Sequence, residues 1–183
     1  LGKNLLLSLK QNPDYDLITF DRNDKIEDID FSRIQLIIHC AGVNRPTNEI
    51  DFELYNFELT NNLCISIYKY YQNTGRKISI IFTSSTQVSE DNLYGKSKLK
   101  AENSLIDLSS KIKNKVTILR LPGVFGKWCK PNYNSVVATF SYNISRDLPI
   151  NILNPNQFVD LVYIDDVINK MKSILSYQKD LLS

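Results

Sequence analysis

The chain has 183 residues, 43% hydrophobic and 23% charged, a size and balance suited to one domain with a real core. A net charge of +2 gives no argument for nucleic acid or an anionic membrane as partner, and the longest apolar runs, residues 36–38 and 78–82, are far too short to span a bilayer. Cys40, Cys64 and Cys129 lack metal-like spacing and read as reduced cytosolic thiols, while the single histidine, His39, excludes a multi-histidine metal site.

In chain order, Leu5-Leu6-Leu7 and Leu9 begin a helix that Pro13 ends. Residues 17–20 (Leu-Ile-Thr-Phe) read as a short strand. Residues 34–40 form an apolar, β-branched strand stopped by Ala41-Gly42. Phe52, Leu54, Tyr55, Leu59, Leu63, Ile67 and Tyr70 recur at helical spacing, which predicts a helix over 52–71 ending near Gly75. Residues 78–82 are a second buried-type strand, 94–112 a helix, and 116–121 a third strand stopped by Pro122-Gly123. A helix over 136–144, a strand over 158–163, and a helix over 167–175 capped by Asp165-Asp166 complete the pattern. Alternating strands and helices predict an α/β fold with a parallel sheet covered on both faces. Ligands of such sheets bind beyond the carboxyl ends of the strands, where Cys40 to Gly42, Ser84-Ser85 and Pro122-Gly123 fall.

At that edge the residues describe a chemistry. Tyr94 and Lys98 are four apart and share one helix face. An ammonium beside a phenol favours the phenolate, so the pairing predicts a Tyr94 pKa below the usual value of about 10. Such a phenol can exchange a proton with a substrate oxygen, and Ser85, at the end of the preceding strand, can hydrogen-bond the same oxygen.

The motifs then resemble a family. His39-Cys40-Ala41-Gly42, Thr83-Ser84-Ser85, Tyr94-x-x-x-Lys98 and Arg120-x-Pro122-x-Val124-Phe125-Gly126 follow in the order and spacing of the extended short-chain dehydrogenase/reductases, the NAD-dependent epimerase/dehydratase family. Asn56 and Tyr163-Ile164-Asp165-Asp166 also fit its positions. A narrower resemblance, to the CapF-type reductase domains of capsular polysaccharide synthesis, is carried by Gly42-Val43-Asn44-Arg45-Pro46 and by Phe125-Gly126-Lys127-Trp128-Cys129-Lys130-Pro131-Asn132-Tyr133-Asn134-Ser135-Val136.

The resemblance implies a Rossmann-like, doubly wound parallel sheet, N-terminally truncated, with the start of a small substrate-binding subdomain. Residues 1–183 would form one NAD(P)-binding domain, of which about 126–160 supply substrate-binding elements. It implies NADPH-dependent reduction of a UDP-4-keto-6-deoxy-N-acetylhexosamine on the route to N-acetyl-L-fucosamine, in the cytoplasm. Ser85, Tyr94 and Lys98 would be catalytic. Gly2, Asp21, Arg22, Ala41, Gly42, Val43, Pro122 and Val124 would join Tyr94 and Lys98 in holding the cofactor. Arg45, Thr86, Lys127, Lys130, Asn132, Asn134 and Arg146 would be the substrate-binding candidates. A homodimer through helices 52–71 and 94–112 is implied, with no metal, nucleic acid or membrane. An NAD-dependent UDP-sugar 4-epimerase uses the same three catalytic residues and stays open as an alternative, as does a non-catalytic Rossmann-like binding domain.

Departures from the family pattern sharpen these expectations. Gly2 matches the last glycine of the phosphate-binding turn, so the first strand and earlier glycines would lie upstream of residue 1, and weak cofactor binding is expected of this chain alone. Asp21 suits a ribose hydroxyl and Arg22 a 2′-phosphate; the arginine leans the cofactor toward NADP. Thr86-Gln87 stands where 4,6-dehydratases carry an Asp-Glu pair, which argues against dehydration. Val159 stands where epimerases often carry an arginine for the UDP phosphates, and Gly123 where many relatives have asparagine.

Overall fold

The computed structural model describes residues 1–152 and 154–180. The chain divides into two compact units, Ile18–Leu121 and the pair Leu1–Leu17 with Pro122–Ser183.

The unit Ile18–Leu121 is built on a parallel three-stranded sheet in the order β1 (Leu36–His39), β2 (Ser79–Ser85), β3 (Val116–Leu121). Leu36 stands opposite Ser79 and His39 opposite Phe82, while Ile80 stands opposite Val116 and Ser85 opposite Leu121. Helix α2 (Leu59–Thr74) connects β1 to β2, and α3 (Leu93–Ile112) connects β2 to β3. Strand β2 is central, and residues Ile80–Ser85 are all buried, so Ile80-Ile81-Phe82 is an apolar run rather than an alternation. Ile80, Ile81 and Phe82 are fully buried. Leu63 and Ile67 of α2 and Ala101, Leu105, Leu108 and Ile112 of α3 close over Ile78, Ile80 and Phe82 as the core. Each such side chain contributes about 1.5–3 kcal/mol on burial.

The helix ends follow local chemistry. Gly75, at φ 70°, ends α2 in the left-handed conformation that favours glycine. Asn92 caps α3, its Oδ1 accepting the Gly95 N–H at 2.7 Å. Ahead of α2 the helix does not run plainly. A single α turn, Ile50–Phe52, passes into a π-helical turn, Glu53–Glu58, and only then into α2.

In the other unit, α1 (Gly2–Leu9) packs against α5 (Ile164–Asp180), and β4 (Gly123–Phe125) pairs in parallel with β5 (Leu161–Tyr163). Helix α4 (Val136–Ile144) is capped by Ser135, whose Oγ accepts the Ala138 N–H at 3.3 Å. A Cβ on Gly126 would lie 2.6 Å from the Tyr163 ring, so only glycine lets the chain turn away from β4 here.

The sheet and its helical crossovers are the α/β, Rossmann-like arrangement expected. Three expectations need correction. Residues 17–20 form no strand: no described strand lies alongside to complete a ladder, and Ile18 and Phe20 stay exposed. The strand expected over 158–163 shrinks to Leu161–Tyr163, with Phe158 97% exposed and outside any ladder. Asp165 and Asp166 lie inside the first turn of α5, where they complement the helix dipole rather than cap it.

Candidate active site

Everything at the carboxyl end of β2 depends on how closely α3 begins beside it. Ser85 is the last residue of β2, and its Oγ accepts the Gln87 N–H at 3.2 Å, starting the 3-10 turn Thr86–Ser89. Asn92 then opens α3. Gly95, in its first turn, faces the Gln87 backbone: a Cβ there would lie 2.9 Å from the Gln87 carbonyl carbon and closer still to its oxygen. The missing side chain lets the helix start against the turn, which sets Tyr94 within hydrogen-bond reach of Ser85. The Tyr94 ring also meets Phe52, centroids 6.0 Å apart.

Burial raises the Tyr94 phenol above its ordinary value, and the Ser85 hydrogen bond pulls the other way without prevailing. The expectation of a phenol depressed by Lys98 is therefore corrected. The Lys98 amine is committed elsewhere. It donates to the Thr83 carbonyl at 2.7 Å and sits 4.1 Å from the centroid of the Phe82 ring. Lys98 is 3% exposed, and burial lowers its pKa to about 8 despite the opposing influence of Cys40 and Glu102. Tyr94 at ordinary pH is thus a neutral, half-buried phenol, and Lys98 a buried cation held at modest cost.

A third group locks the strand ends together. Asn56, in the π turn and 1% exposed, accepts the Val43 N–H at 2.8 Å and donates to the Val43 carbonyl at 2.9 Å and to Ser97 Oγ at 3.0 Å. Ser97 Oγ in turn donates to the Tyr94 carbonyl at 2.8 Å. Asn56 thereby ties the loop after β1 directly to the helix of Tyr94 and Lys98, with no intervening water needed. Gly42, at φ 148°, has no room for a side chain: its Cβ would lie 2.6 Å from Asn56 Oδ1 and 3.8 Å from Lys98 Nζ. His39 is a packed residue. Its Nε2 lies 2.9 Å from Thr60 Oγ1, and Thr60 donates at 2.7 Å to the Asn56 carbonyl. Since the Thr60 proton goes to Asn56, His39 Nε2 carries the proton that reaches Thr60. Burial first, and the Lys98 charge second, lower the His39 pKa to about 3.

The remaining candidates are placed as follows. Ala41 and Gly42 are exposed beyond β1, Val43 has its backbone fixed by Asn56, and Arg45 and Thr86 are exposed. Asp21 and Arg22 lie in an exposed turn, not at a strand end; the Asp21 N–H donates to Asp24 Oδ2 at 2.5 Å. In the other unit, Gly2 is the first residue of α1, Pro122 precedes β4, and Val124 is its middle residue, opposite Val162. Lys127 Nζ and Lys3 Nζ lie 4.7 and 4.6 Å from the Trp128 ring centroid. Lys130, Asn132 and Asn134 are exposed in the same loop, where the Asn132 N–H donates to Thr139 Oγ1 at 2.9 Å. Arg146 stacks on Tyr142 at 3.9 Å. Among the described residues no His, Cys, Asp and Glu cluster could hold a metal, and no helix is long and apolar enough to cross a membrane.

Sequence reasoning missed Gly95 and Glu102. Glu102 stands one turn after Lys98 on α3 and is 1% exposed, a burial that only a partner on β3, Arg120, makes tolerable. The i, i+4 spacing from Lys98 was the available signal.

A family model described as the NAD dependent epimerase/dehydratase family matches residues 1–181. A UDP-2-acetamido-2,6-beta-L-arabino-hexul-4-ose reductase of Pseudomonas aeruginosa strain PA103 is 41% identical over 177 residues, covering 96% of this chain and 46% of that protein. The crystal structure of the capsular polysaccharide assembling protein CapF from Staphylococcus aureus superposes with a TM-score of 0.78 at 36% identity, covering 96% of this chain and 47% of that one. The NAD complex of UDP-glucuronic acid 4-epimerase from Bacillus cereus, at 20% identity and a TM-score of 0.72 over 93% of this chain and 58% of that one, shares the fold. The chain thus spans about half the length of the curated relative it matches.

Proposed function

The chain belongs to the NAD dependent epimerase/dehydratase family, and from that premise we propose that it carries the proton-transfer site of an NADPH-dependent reductase of a UDP-4-keto-6-deoxy-N-acetylhexosamine. The observation that carries the reading is Tyr94, a half-buried neutral phenol beside Ser85 and one helix turn from the buried cation Lys98. Reduction of a carbonyl consumes a proton, and a phenol whose pKa is raised holds its proton until the substrate oxygen becomes basic. The 41% identity to a protein described as a UDP-hexulose reductase favours a 4-keto sugar as substrate, and the likeness to CapF favours capsule or O-antigen synthesis through N-acetyl-L-fucosamine.

The residues beyond β1 and β2 fit a nicotinamide cofactor: Gly42 leaves open backbone where a Cβ would crowd Asn56 and Lys98. When bound, the cofactor supplies the hydride for the carbonyl carbon. Tyr94 Oη gives its proton to the carbonyl oxygen and becomes a phenolate. The Lys98 ammonium stabilises that phenolate, which is where its charge matters. Ser85 donates to the same carbonyl oxygen and fixes its approach. Ala41, Gly42, Val43, Pro122 and Val124 are proposed to flank the cofactor, Gly2 to face its phosphates, and Asp21 and Arg22 its ribose, Arg22 favouring NADP. Arg45, Thr86, Lys127, Lys130, Asn132, Asn134 and Arg146 are proposed on the substrate side, with about 126–160 as the substrate-binding part of a 1–183 NAD(P)-binding domain. The free thiols suit a cytoplasmic enzyme. A homodimer is proposed through α2 and α3, whose outer groove is lined by Phe57, Ile65, Tyr68 and Lys100 and leaves Ile65 45% exposed.

The test is incubation of the full-length protein with a UDP-4-keto sugar and NADPH. Stoichiometric loss of the reduced nicotinamide absorbance is expected. Conversion of a UDP-sugar epimer pair without net loss would replace the reading by 4-epimerisation, and no turnover in any combination would favour a binding domain.

A further inference from the structure

Lys98 has a rival partner that it does not take. Glu102 follows it by one turn of α3, both side chains are buried, and a Glu–Lys pair at this spacing ordinarily closes on itself. Instead Arg120, from β3, forks onto the carboxylate. Its Nε lies 3.0 and 3.2 Å from Glu102 Oε1 and Oε2, and its Nη2 lies 2.6 Å from Oε2. Both carboxylate oxygens are engaged, and the Lys98 amine points to the Thr83 carbonyl at the end of β2. We propose that Arg120 and Glu102 are a positioning pair for Lys98: the guanidinium keeps the carboxylate from capturing the amine, while the carboxylate's charge keeps the amine protonated in its buried place.

The geometry explains why two groups are needed. Without Glu102, Lys98 would face Phe82, the Thr83 carbonyl, His39 at the end of β1 and Cys40 just beyond it. Cys40 offsets the burial of the ammonium only as a thiolate, and burial raises its own pKa, so at neutral pH none of these is an anion. Without Arg120, Glu102 would be a buried carboxylate with no cation except Lys98, and the shortest route to satisfaction would draw the amine one turn along the helix, away from Thr83. The inference rests on the reading of Lys98 as the cation of the site.

The experiment is an NMR titration of lysine side chains in 13C- and 15N-lysine-labelled protein, with the Lys98 signal assigned by Lys98→Met. In the wild type Lys98 is expected to titrate at about 8, lowered by its burial. Glu102→Gln, which keeps the shape and removes the charge, is expected to lower that value by roughly two pH units, the size of one charge about a helix turn away at an effective dielectric near 20. Arg120→Gln is expected to raise it as Glu102 closes on the amine, and Arg120→Lys to bring it back toward wild type. An unmoved Lys98 in Glu102→Gln, or shifts of the same sign in Glu102→Gln and Arg120→Gln, overturns the proposal. Should Arg120→Gln fail to fold, Glu102→Gln carries the test alone. The titration needs no substrate, so its failure is separate from failure of the reductase reading, which turnover of Lys98→Met tests on its own.

Discussion

Gly95 and Gln87 meet backbone to backbone, close enough that a Cβ on Gly95 would lie 2.9 Å from the Gln87 carbonyl carbon and nearer still to its oxygen. The turn after Ser85 and the first turn of α3 are thereby fixed to each other, and with them Ser85 and Tyr94. Gly95→Ala is therefore expected to cost about 1–3 kcal/mol in stability. It should also lower turnover at least tenfold, since a displacement of the order of 1 Å at a reacting group is enough. Urea unfolding and turnover of the same preparation check this; an alanine variant with wild-type values of both would show that the contact relaxes freely.

Tyr94→Phe keeps the ring that packs on Phe52 and removes the proton. Turnover is expected to fall by about 10²–10⁴, the usual worth of a general acid. Thermal unfolding should move little. Full activity in the phenylalanine variant would remove Tyr94 from the mechanism.

His39 predicts an acid sensitivity. The folded protein keeps it neutral to about pH 3, whereas the unfolded chain takes up a proton near the ordinary value of 6.5. Between those values the unfolded state binds more protons, so stability is full above 6.5 and is lost as pH falls toward about 3. The loss by about pH 4.5 is on the order of 2–3 kcal/mol. His39→Gln, which keeps a donor for Thr60, should flatten that part of the curve. Urea midpoints measured from neutral to acid pH in both proteins decide it, and parallel curves would count against the buried imidazole.

Asn56→Ala strips the Val43 N–H, the Val43 carbonyl and Ser97 Oγ of a shared partner. About 1–3 kcal/mol is expected to go with each buried group left unsatisfied. Asn56→Asp should be no better, because it sets a second acceptor against the Val43 carbonyl. Loosening of the loop after β1 should show as a raised KM for the reduced nicotinamide cofactor with a smaller change in kcat; an unchanged KM would detach Asn56 from cofactor positioning.

Legibility followed apolar pattern and stop signals. The strand Val116–Leu121 and the helix Val136–Ile144 match the sequence reading residue for residue, and α3 differs from it by one residue, because their apolar patterns end on clear stop signals. Residues 17–20 carry strand-type side chains, but a strand is a property of a pair, and a single sequence does not display its neighbour. The proposed catalytic trio was legible as residue types at a spacing. Its electrostatics were not: spacing places Lys98 on the Tyr94 face, whereas helical side chains lean toward the N-terminus, and here the amine reaches the Thr83 carbonyl. Gly95 reads as a weak helix residue until Gln87 is set beside it, and Arg120 as a strand-end charge until Glu102 is.

The π-helical turn Glu53–Glu58 works as a phase shift. Relative to a plain helix it contains one residue too many, and one residue corresponds to about 100° of rotation around the axis. The rod that carries Leu63 and Ile67 into the core therefore presents Asn56 in a different angular setting from the one an unbroken heptad-like repeat would allow. Two duties with conflicting periodicities are written on one continuous helix. Deleting a single residue in that turn would leave the packed half in step and swing the other half away from Val43 and Ser97, so chain length in that turn is as sensitive a variable as the identity of Asn56.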